Sequence, residues 1–557
     1  MNNYTIRVCC LQVKARPFSE QTENKENILQ LIAQAARCEP DLIMLPECVY
    51  PCYFLSSRII PDYKKLGLLT TEFVEEIKVC ARNYQTFIAV GFPEYIPETD
   101  FLYNTALLID DEGKEVGRYR KSFLWHFDNN WFKNDSNYPV FDTKIGKIGL
   151  FICADGRLPE VARSLSLRGA EILLDLTNWI TSGLERKNWS NPQVEYMVPT
   201  RALENKVWIA AANKVGFEEN SIQYCGKSAF FSPEGETIMM ASTDEEEILA
   251  QDIDLSHSHQ KSIPGVMDLF QSRRPELYHY LTSPRSELPI YRNSKMQSNK
   301  DTKNPFAAVI QIEEPLDEAF STYLAKMEDF FHTLAEQQVD ILSFAQFGDF
   351  PASKSPIILN LFKDLTKTNS RLCTLVLPEK ENSFNYKTFF IIQSGKIIAK
   401  YRKTHLELDE NGIFNQGENE FPVFKTQFGT IGMMLDFEGY FPEIARILSL
   451  KGADLIIWSV QFTHDEHLKI SQTRSAENKV FILCPNSIEQ EFNGHSIITA
   501  PSGQIIAGCL EKAEIASVAS LSLCLARDKN IVPGTNAIFD RQPASYQLLT
   551  SKKTLWL

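Results

Sequence analysis

The sequence predicts two α/β domains in tandem, and three observations carry this. The first is an internal repeat. Residues 149–174, GLFICADGRLPEVARSLSLRGAEILL, return at 432–457 as GMMLDFEGYFPEIARILSLKGADLII, with Pro159 on Pro442 and Gly169 on Gly452 at an offset of 283. The second is length. A chain of 557 residues exceeds what one hydrophobic core organises, about 250–300 residues. The third is a regular alternation of strand-like and helix-like patterns, the mark of a layered α/β domain.

Taken in order, IRVCCLQV opens as a strand and ENKENILQLIAQAARC follows as a helix. The strand DLIMLPE, a helix at TEFVEEIKVCARN, and the strands TFIAVGFPE and TALLIDDEG come next. The later part reads KIGLFICAD, a helix at PEVARSLSLRG, AEILLDLT, a helix ending at RALENK, and VWIAAANKV as one strand. SAFFSPEGETI and EEEILAQDIDL then read as hairpin-like strands, with turns at DDEGK and SPEG. The polar stretch RNSKMQSNKDTKNP reads as a linker, and the pattern restarts at FAAVIQI. Gln12 falls on Gln311 and Asp41 on Asp340, and RRPELY near the end of the first copy matches RQPASY near the end of the second. The expected boundaries are a first domain at 1–290, a linker at 291–303 and a second domain at 304–557.

Composition is that of a globular protein, 44% apolar and 23% charged, with a formal net charge of −14. That charge argues against nucleic acid or an anionic membrane as partner. The first residues lack the features of a signal peptide, and no apolar run approaches the ~18–20 residues of a membrane span. The expected location is cytoplasmic, where thiols stay reduced, so most of the twelve cysteines read as small buried apolar residues. Cys48 and Cys52 stand four apart without a second ligand pair. SHSHQ (His257, His259) and THDEHLK (His464, His467) do not match a zinc motif. Neither a metal nor any other cofactor is expected.

Three residues of the first copy suit acyl transfer. Cys153 ends an apolar strand and precedes a helix beginning near Pro159, a turn where a thiol can be exposed and activated. Glu47, in LPECVYPCYF, can take its proton and later activate water. Lys121, in YRKSFLW, can hold the negative oxygen of a tetrahedral intermediate. Alone, each has a plain structural reading: a core cysteine, a loop carboxylate, a strand-end lysine. Their joint order points to chemistry. The aromatic group around Trp125, with Trp179 after the next strand, suits a pocket wall for an acyl group. Arg157 is a candidate for a substrate carboxylate.

These segments, with RALEN and RRPELY, resemble the nitrilase superfamily of carbon–nitrogen hydrolases, and the resemblance covers both halves. It implies two four-layer αββα sandwich domains, a Glu–Lys–Cys catalytic set at Glu47, Lys121 and Cys153, and an intrachain pseudo-dimer, with further self-association open. It also implies a second glutamate shortly after the lysine. Here the segment SFLWHFDNNWF has none, and Asp128 is the candidate second acid. In the second copy Gln346 stands for Glu47, Lys403 for Lys121, Asp436 for Cys153 and Phe462 for Trp179, with Glu438 on Asp155. That copy is expected to be catalytically silent. The expected substrate is a small linear amide or N-carbamoyl compound. A nitrile is the alternative, and a non-catalytic scaffold or ligand sensor is the alternative of another class.

Overall fold

The computed structural model describes residues 4–56, 58–60, 62–294, 304–313, 320–346, 351–418, 420–488 and 491–552. Most of the expected linker, 295–303, lies outside them. No helix among the described residues is long and apolar enough to cross a membrane.

The chain forms two compact units. In the first, the strand Thr5–Lys14 is the hub of an eight-stranded sheet. Leu42–Met44 runs parallel to it (Val8 opposite Leu42), and Glu247–Asp254 runs antiparallel (Thr5 opposite Asp254). Phe87–Ile96, Phe101–Ile109 and Glu115–Arg120 extend one side, and Lys214–Glu218 and Ile222–Cys225 the other. Helices Gln21–Ala35 and Tyr63–Tyr84 cover its outer face. Their Ile28, Ile32, Phe73 and Ile77 pack on Cys9, Leu11, Ile43, Ile88 and Val90 in one buried cluster. A six-stranded sheet, Thr237–Met240, Ala229–Phe231, Trp208–Ala212, Ile172–Leu176, Gly146–Ile152 and Val140–Thr143, lies against the inner face. Helices Pro159–Leu167 and Val198–Asn205 cover its far side. The layers are helix, sheet, sheet, helix. Helices on both outer faces bury the strands from both sides, which is why they read as continuous apolar runs.

Two strand expectations are corrected. VWIAAANKV is not one strand: Trp208–Ala212 lies in the second sheet, and after Asn213 the chain crosses to the first as Lys214–Glu218. EEEILAQDIDL does not close a hairpin with its neighbour; Glu247–Asp254 returns to pair with the opening strand.

The second unit repeats the plan with two six-stranded sheets. One is built around Phe306–Gln311, between Ile341–Phe344 and Ile515–Ser520; the other around Gly429–Leu435, Leu455–Ser459 and Phe481–Cys484. Helices Phe320–Glu336 and Ser355–Thr366 serve its first sheet, and Pro442–Leu450 and Glu466–Asn478 its second.

The tails do not stay with their own copies. Residues 262–294 belong to the second unit, and 530–536 and 540–552 to the first. The matched tail arginines show the exchange. Arg541 Nε donates to Glu160 Oε1 at 2.7 Å in the first unit, and Arg273 Nε to Glu443 Oε1 at 3.3 Å in the second, both pairs buried. Each glutamate begins the helix that follows the Cys153 or Asp436 turn.

Candidate functional site

Three strand ends of the first unit bring the sequence candidates together. Glu47 lies just beyond Leu42–Met44, in a turn held by Leu45 N–H on Ala89 O and Val49 N–H on Gly91 O, both 2.9 Å. Gly91 has to be glycine: a Cβ there would meet Pro46 O at 2.5 Å and Glu47 Cα at 2.7 Å. Lys121 follows Glu115–Arg120 and donates its N–H to Asn104 O at 2.9 Å. Cys153 follows Gly146–Ile152 in the left-handed region, at φ 47°, a strained conformation for a residue with a side chain.

Two carboxylates fix that turn. Asp175 Oδ1 accepts Cys153 N–H at 2.9 Å. Asp155 accepts from Ser122 Oγ (2.7 Å), Phe123 N (2.8 Å) and Tyr119 OH (2.7 Å), which binds the cysteine turn to the lysine segment. Burial raises the pKa of both acids. Sequence reasoning did not single out either acid. The signal for Asp155 was available, because its counterpart Glu438 stays acidic where Glu47 and Cys153 give way to Gln346 and Asp436. Glu438 makes the same bonds, to Tyr401 OH (2.7 Å), Thr404 N (2.9 Å) and Leu435 N (2.9 Å).

The charged groups form a buried chain. Glu47 Oε1 accepts from Lys121 Nζ at 2.7 Å and from Asn104 Nδ2 at 2.6 Å, while its Oε2 has no hydrogen-bond partner among the described residues. Lys121 Nζ lies 2.7 Å from Asp128 Oδ2, and Asp128 also accepts from Tyr53 OH (2.8 Å) and Trp125 N (2.9 Å). Asp128 thus stands on the lysine, where a second acid would. Burial raises the Glu47 pKa, with Lys121 opposing and Asp128 adding to the rise. For Lys121 burial works against the charge, but Asp128 and Glu47 overcome it and hold the ammonium well above its usual value. The Cys153 thiol is pushed up, first by burial and then by the Glu47 charge. The expectation of an exposed thiol is therefore corrected: Cys153 is 8% exposed, and its burial works against the thiolate.

Glu47, Lys121 and Cys153 line one cavity of about 310 Å³, together with Trp125, Arg157 and Trp179. Arg157 stacks its guanidinium 4.6 Å from the Trp125 ring centroid. It is buried, no carboxylate pairs with it among the described residues, and desolvation lowers its pKa. Gln193 Nε2 approaches Cys153 Sγ at 4.0 Å.

The Trp125–Asp128 segment is held from the far end of the chain. His126 N–H donates to Thr535 Oγ1 at 2.8 Å, Thr535 Oγ1 donates to Leu124 O at 3.2 Å, and Asn129 Nδ2 donates to Gly534 O at 3.0 Å. His126 Nδ1 lies 2.8 Å from Pro533 O.

The second unit keeps the backbone and exchanges the chemistry. Asp436 occupies the cysteine turn at φ 44°. Gln346 Nε2 donates to Asp436 Oδ1 and, at 2.8 Å, to Ser459 O. Lys403 Nζ reaches Glu407 (2.5 Å), Glu410 (2.6 Å) and Asp436 (2.8 Å). Glu410 follows Lys403 by seven residues, as Asp128 follows Lys121. Lys387 takes the place of Asn104, since its carbonyl accepts Lys403 N–H at 2.9 Å, and its Nζ lies 2.8 Å from Asp436 Oδ2. Burial opposes the Asp436 charge, but Lys387 and Lys403 prevail and lower its pKa. Glu407, Glu410 and Asp436 have metal-like spacing, yet Lys403 already bonds all three. The histidine pairs are used locally: His259 pairs with Glu171 at 2.5 Å, and His467 Nδ1 lies 3.2 Å from His464 O.

Comparison with known proteins agrees with the duplication. The carbon–nitrogen hydrolase family profile matches twice, at 7–260 and 306–528. A nitrilase of Pyrococcus abyssi is 33% identical over 49% of this chain and 99% of its own length. The N-carbamoylputrescine amidase of Oryza sativa subsp. japonica is 27% identical over 47% of this chain and 90% of its own. An amidase structure from Nesterenkonia sp. is 23% identical, covering 46% of this chain and 94% of that one, with a TM-score of 0.41.

Proposed function

The chain belongs to the carbon–nitrogen hydrolase family, and on that premise we propose that its first repeat hydrolyses linear amides or N-carbamoyl compounds through a thioester on Cys153. The observation that carries the reading is the convergence of Glu47, Lys121 and Cys153 on one cavity. Cys153 Sγ attacks the substrate carbonyl carbon as its proton passes to Glu47. Burial works against a free thiolate at Cys153, so proton transfer to Glu47 accompanies attack. A carboxylate whose own pKa is raised suits both taking the proton and giving it back. Lys121, kept charged by Asp128 and Glu47, stabilises the oxyanion. Collapse breaks the carbon–nitrogen bond, and the leaving nitrogen takes the proton from Glu47. Glu47 then removes a proton from water, whose oxygen displaces Cys153 and releases the acid.

Arg157 gives the substrate its second feature. A buried guanidinium without a carboxylate partner, stacked on Trp125 beside the nucleophile, favours an amide that carries a carboxylate at its far end. Trp125 and Trp179 flank the acyl chain. The second repeat, with Gln346 and Asp436 in place of base and nucleophile, is catalytically silent.

The test is incubation with a panel of amides, N-carbamoyl compounds and nitriles, following ammonia release and the intact mass of the protein. Amides that carry a carboxylate should react best. Cys153→Ala should abolish both turnover and adduct while preserving the fold, and Arg157→Leu should raise KM for the carboxylate-bearing members. A Cys153→Ala protein with wild-type rates would sink the assignment. Relatives named nitrilase, such as that of Pyrococcus abyssi, favour a nitrile, and preferential turnover of the nitriles would decide for that reading.

A further inference from the structure

We infer that the cavity of the second unit is a binding site for a primary alkylammonium ligand. It is larger than its counterpart, at about 960 Å³ against 310 Å³ in the first unit. Its floor sets three carboxylates, Asp436, Glu410 and Glu407, against two ammoniums, Lys403 and Lys387. Three further carboxylates line it, Asp409, Glu466 and Glu491, none with an ion-pair partner among the described residues. Its basic lining is Lys387, already committed, and His464. An anion is therefore repelled, and a cation is drawn in.

A second, independent feature points to a ligand that donates hydrogen bonds. Gln346 lines the floor, is 1% exposed, and its Oε1 has no donor among the described residues. The amide cannot turn over to repair this. Its Nε2 faces two acceptors, Asp436 Oδ1 and Ser459 O, and a flip would set oxygen against oxygen. A buried acceptor left unpaired is costly. An ammonium, with three donors and no acceptor, satisfies it.

The aromatic wall excludes a bare metal ion and suits an alkyl chain. Phe437 and Phe462 lie 4.7 Å apart between centroids, and Tyr440 stacks on Phe437 at 5.3 Å. Such faces bind an organic cation through both its charge and its methylenes. A divalent metal would want Glu407, Glu410 and Asp436, and the Lys403 ammonium occupies their centre. The inference stands whether or not the first cavity is a hydrolase. If it is, the second takes a ligand of the class that cleavage of an N-alkyl amide releases.

The experiment is calorimetric titration of the full-length protein at pH 8 with 1,4-diaminobutane, n-butylamine, n-butyrate and magnesium chloride. Both amines should bind and magnesium should not; any butyrate heat should disappear in Arg157→Leu, because it comes from the first cavity. The rim variant Glu466→Gln/Glu491→Gln, one half-buried and one exposed position, should weaken the amines about tenfold, and Gln346→Leu by a similar factor. Glu47→Gln, which removes the carboxylate an amine in the first cavity would pair with, should leave their affinity unchanged, which separates this site from the first cavity. Circular dichroism checks that each variant is folded. Absence of amine binding, equal binding by the rim variant, loss of binding in Glu47→Gln, tighter binding of magnesium, or butyrate binding retained in Arg157→Leu would each overturn the proposal.

Discussion

Replacing Thr535 by valine tests whether residues near the end of the chain shape the first cavity. Thr535 is 0% exposed, and its hydroxyl is both acceptor from His126 N–H (2.8 Å) and donor to Leu124 O (3.2 Å). Valine keeps the volume and removes the hydroxyl, leaving one half-buried N–H and one half-buried C=O without this partner. A fully buried group left so costs about 1–3 kcal/mol, so for these two half-buried ones the segment loses about 1–3 kcal/mol of local restraint in all. That segment carries Trp125 and Phe127 into the cavity and places Asp128 on Lys121. His126 also sits at φ 38°, a conformation that needs support from its surroundings. The expected result is a fall in kcat/KM of at least about tenfold, measured by ammonia release on the best amide of the panel. Circular dichroism should show both units still folded. Thr535→Ser, which restores the hydroxyl, should recover most of the activity. A valine variant with wild-type kinetics, or a serine variant as damaged as the valine one, would refute the reasoning.

Three further outcomes are expected. Glu47→Gln makes the first site resemble the second at Gln346 and should slow single-turnover acylation about 10²–10⁴-fold, the worth of a general base; in the unmodified enzyme acylation should rise with pH through a Glu47 pKa lying above the ordinary glutamate range, and a pH-independent rate would count against it. Asp436→Ala should leave the hydrolysis rate within about twofold of wild type, yet lower stability by about 1–3 kcal/mol, because two largely buried lysines lose one of the two carboxylates they share and keep Glu410; a large loss of activity without loss of stability would contradict a silent second site. Glu407 is raised from 4.5 to about 7, first by burial. A carboxyl group with a raised folded-state pKa contributes stability below about 4.5 and loses it as pH rises through 7, so Glu407→Gln should flatten the stability profile of the second unit across that window in pH-dependent melting.

The candidate set was legible because each member sits at a boundary that local pattern marks. Glu47, Lys121 and Cys153 all follow strand runs, and the family resemblance that joins three motifs in one order argues against the ordinary reading of each. Asp128 was legible only as the nearest acid. Its bond to Lys121, and the equivalent spacing of Glu410 from Lys403, depend on the turn between them. Asn104 and Asp175 escaped notice because nothing near them in sequence distinguishes a polar residue in a strand from one aimed at a catalytic group. The exposure of the thiol was misjudged for a related reason. Sequence shows that a lysine and a glutamate accompany the cysteine, but the degree of burial, which here outweighs the lysine, belongs to the packed state.

The sequence by itself determined the duplication, the α/β layering of each copy and the exchange of Glu47 and Cys153 for Gln346 and Asp436 in the second. These rest on periodicity and on residue identity, which a chain carries locally. The tertiary structure alone decided that the strand around Asn213 divides between two sheets and that Glu247–Asp254 pairs with the opening strand. It also decided that Lys387 joins the rewired floor of the second cavity, and that Pro533–Thr535 hold a segment some 400 residues earlier. Hydrophobic patterning says which face of an element is buried. Which distant donor meets which acceptor is settled only when the layers close and every buried polar group must find a partner.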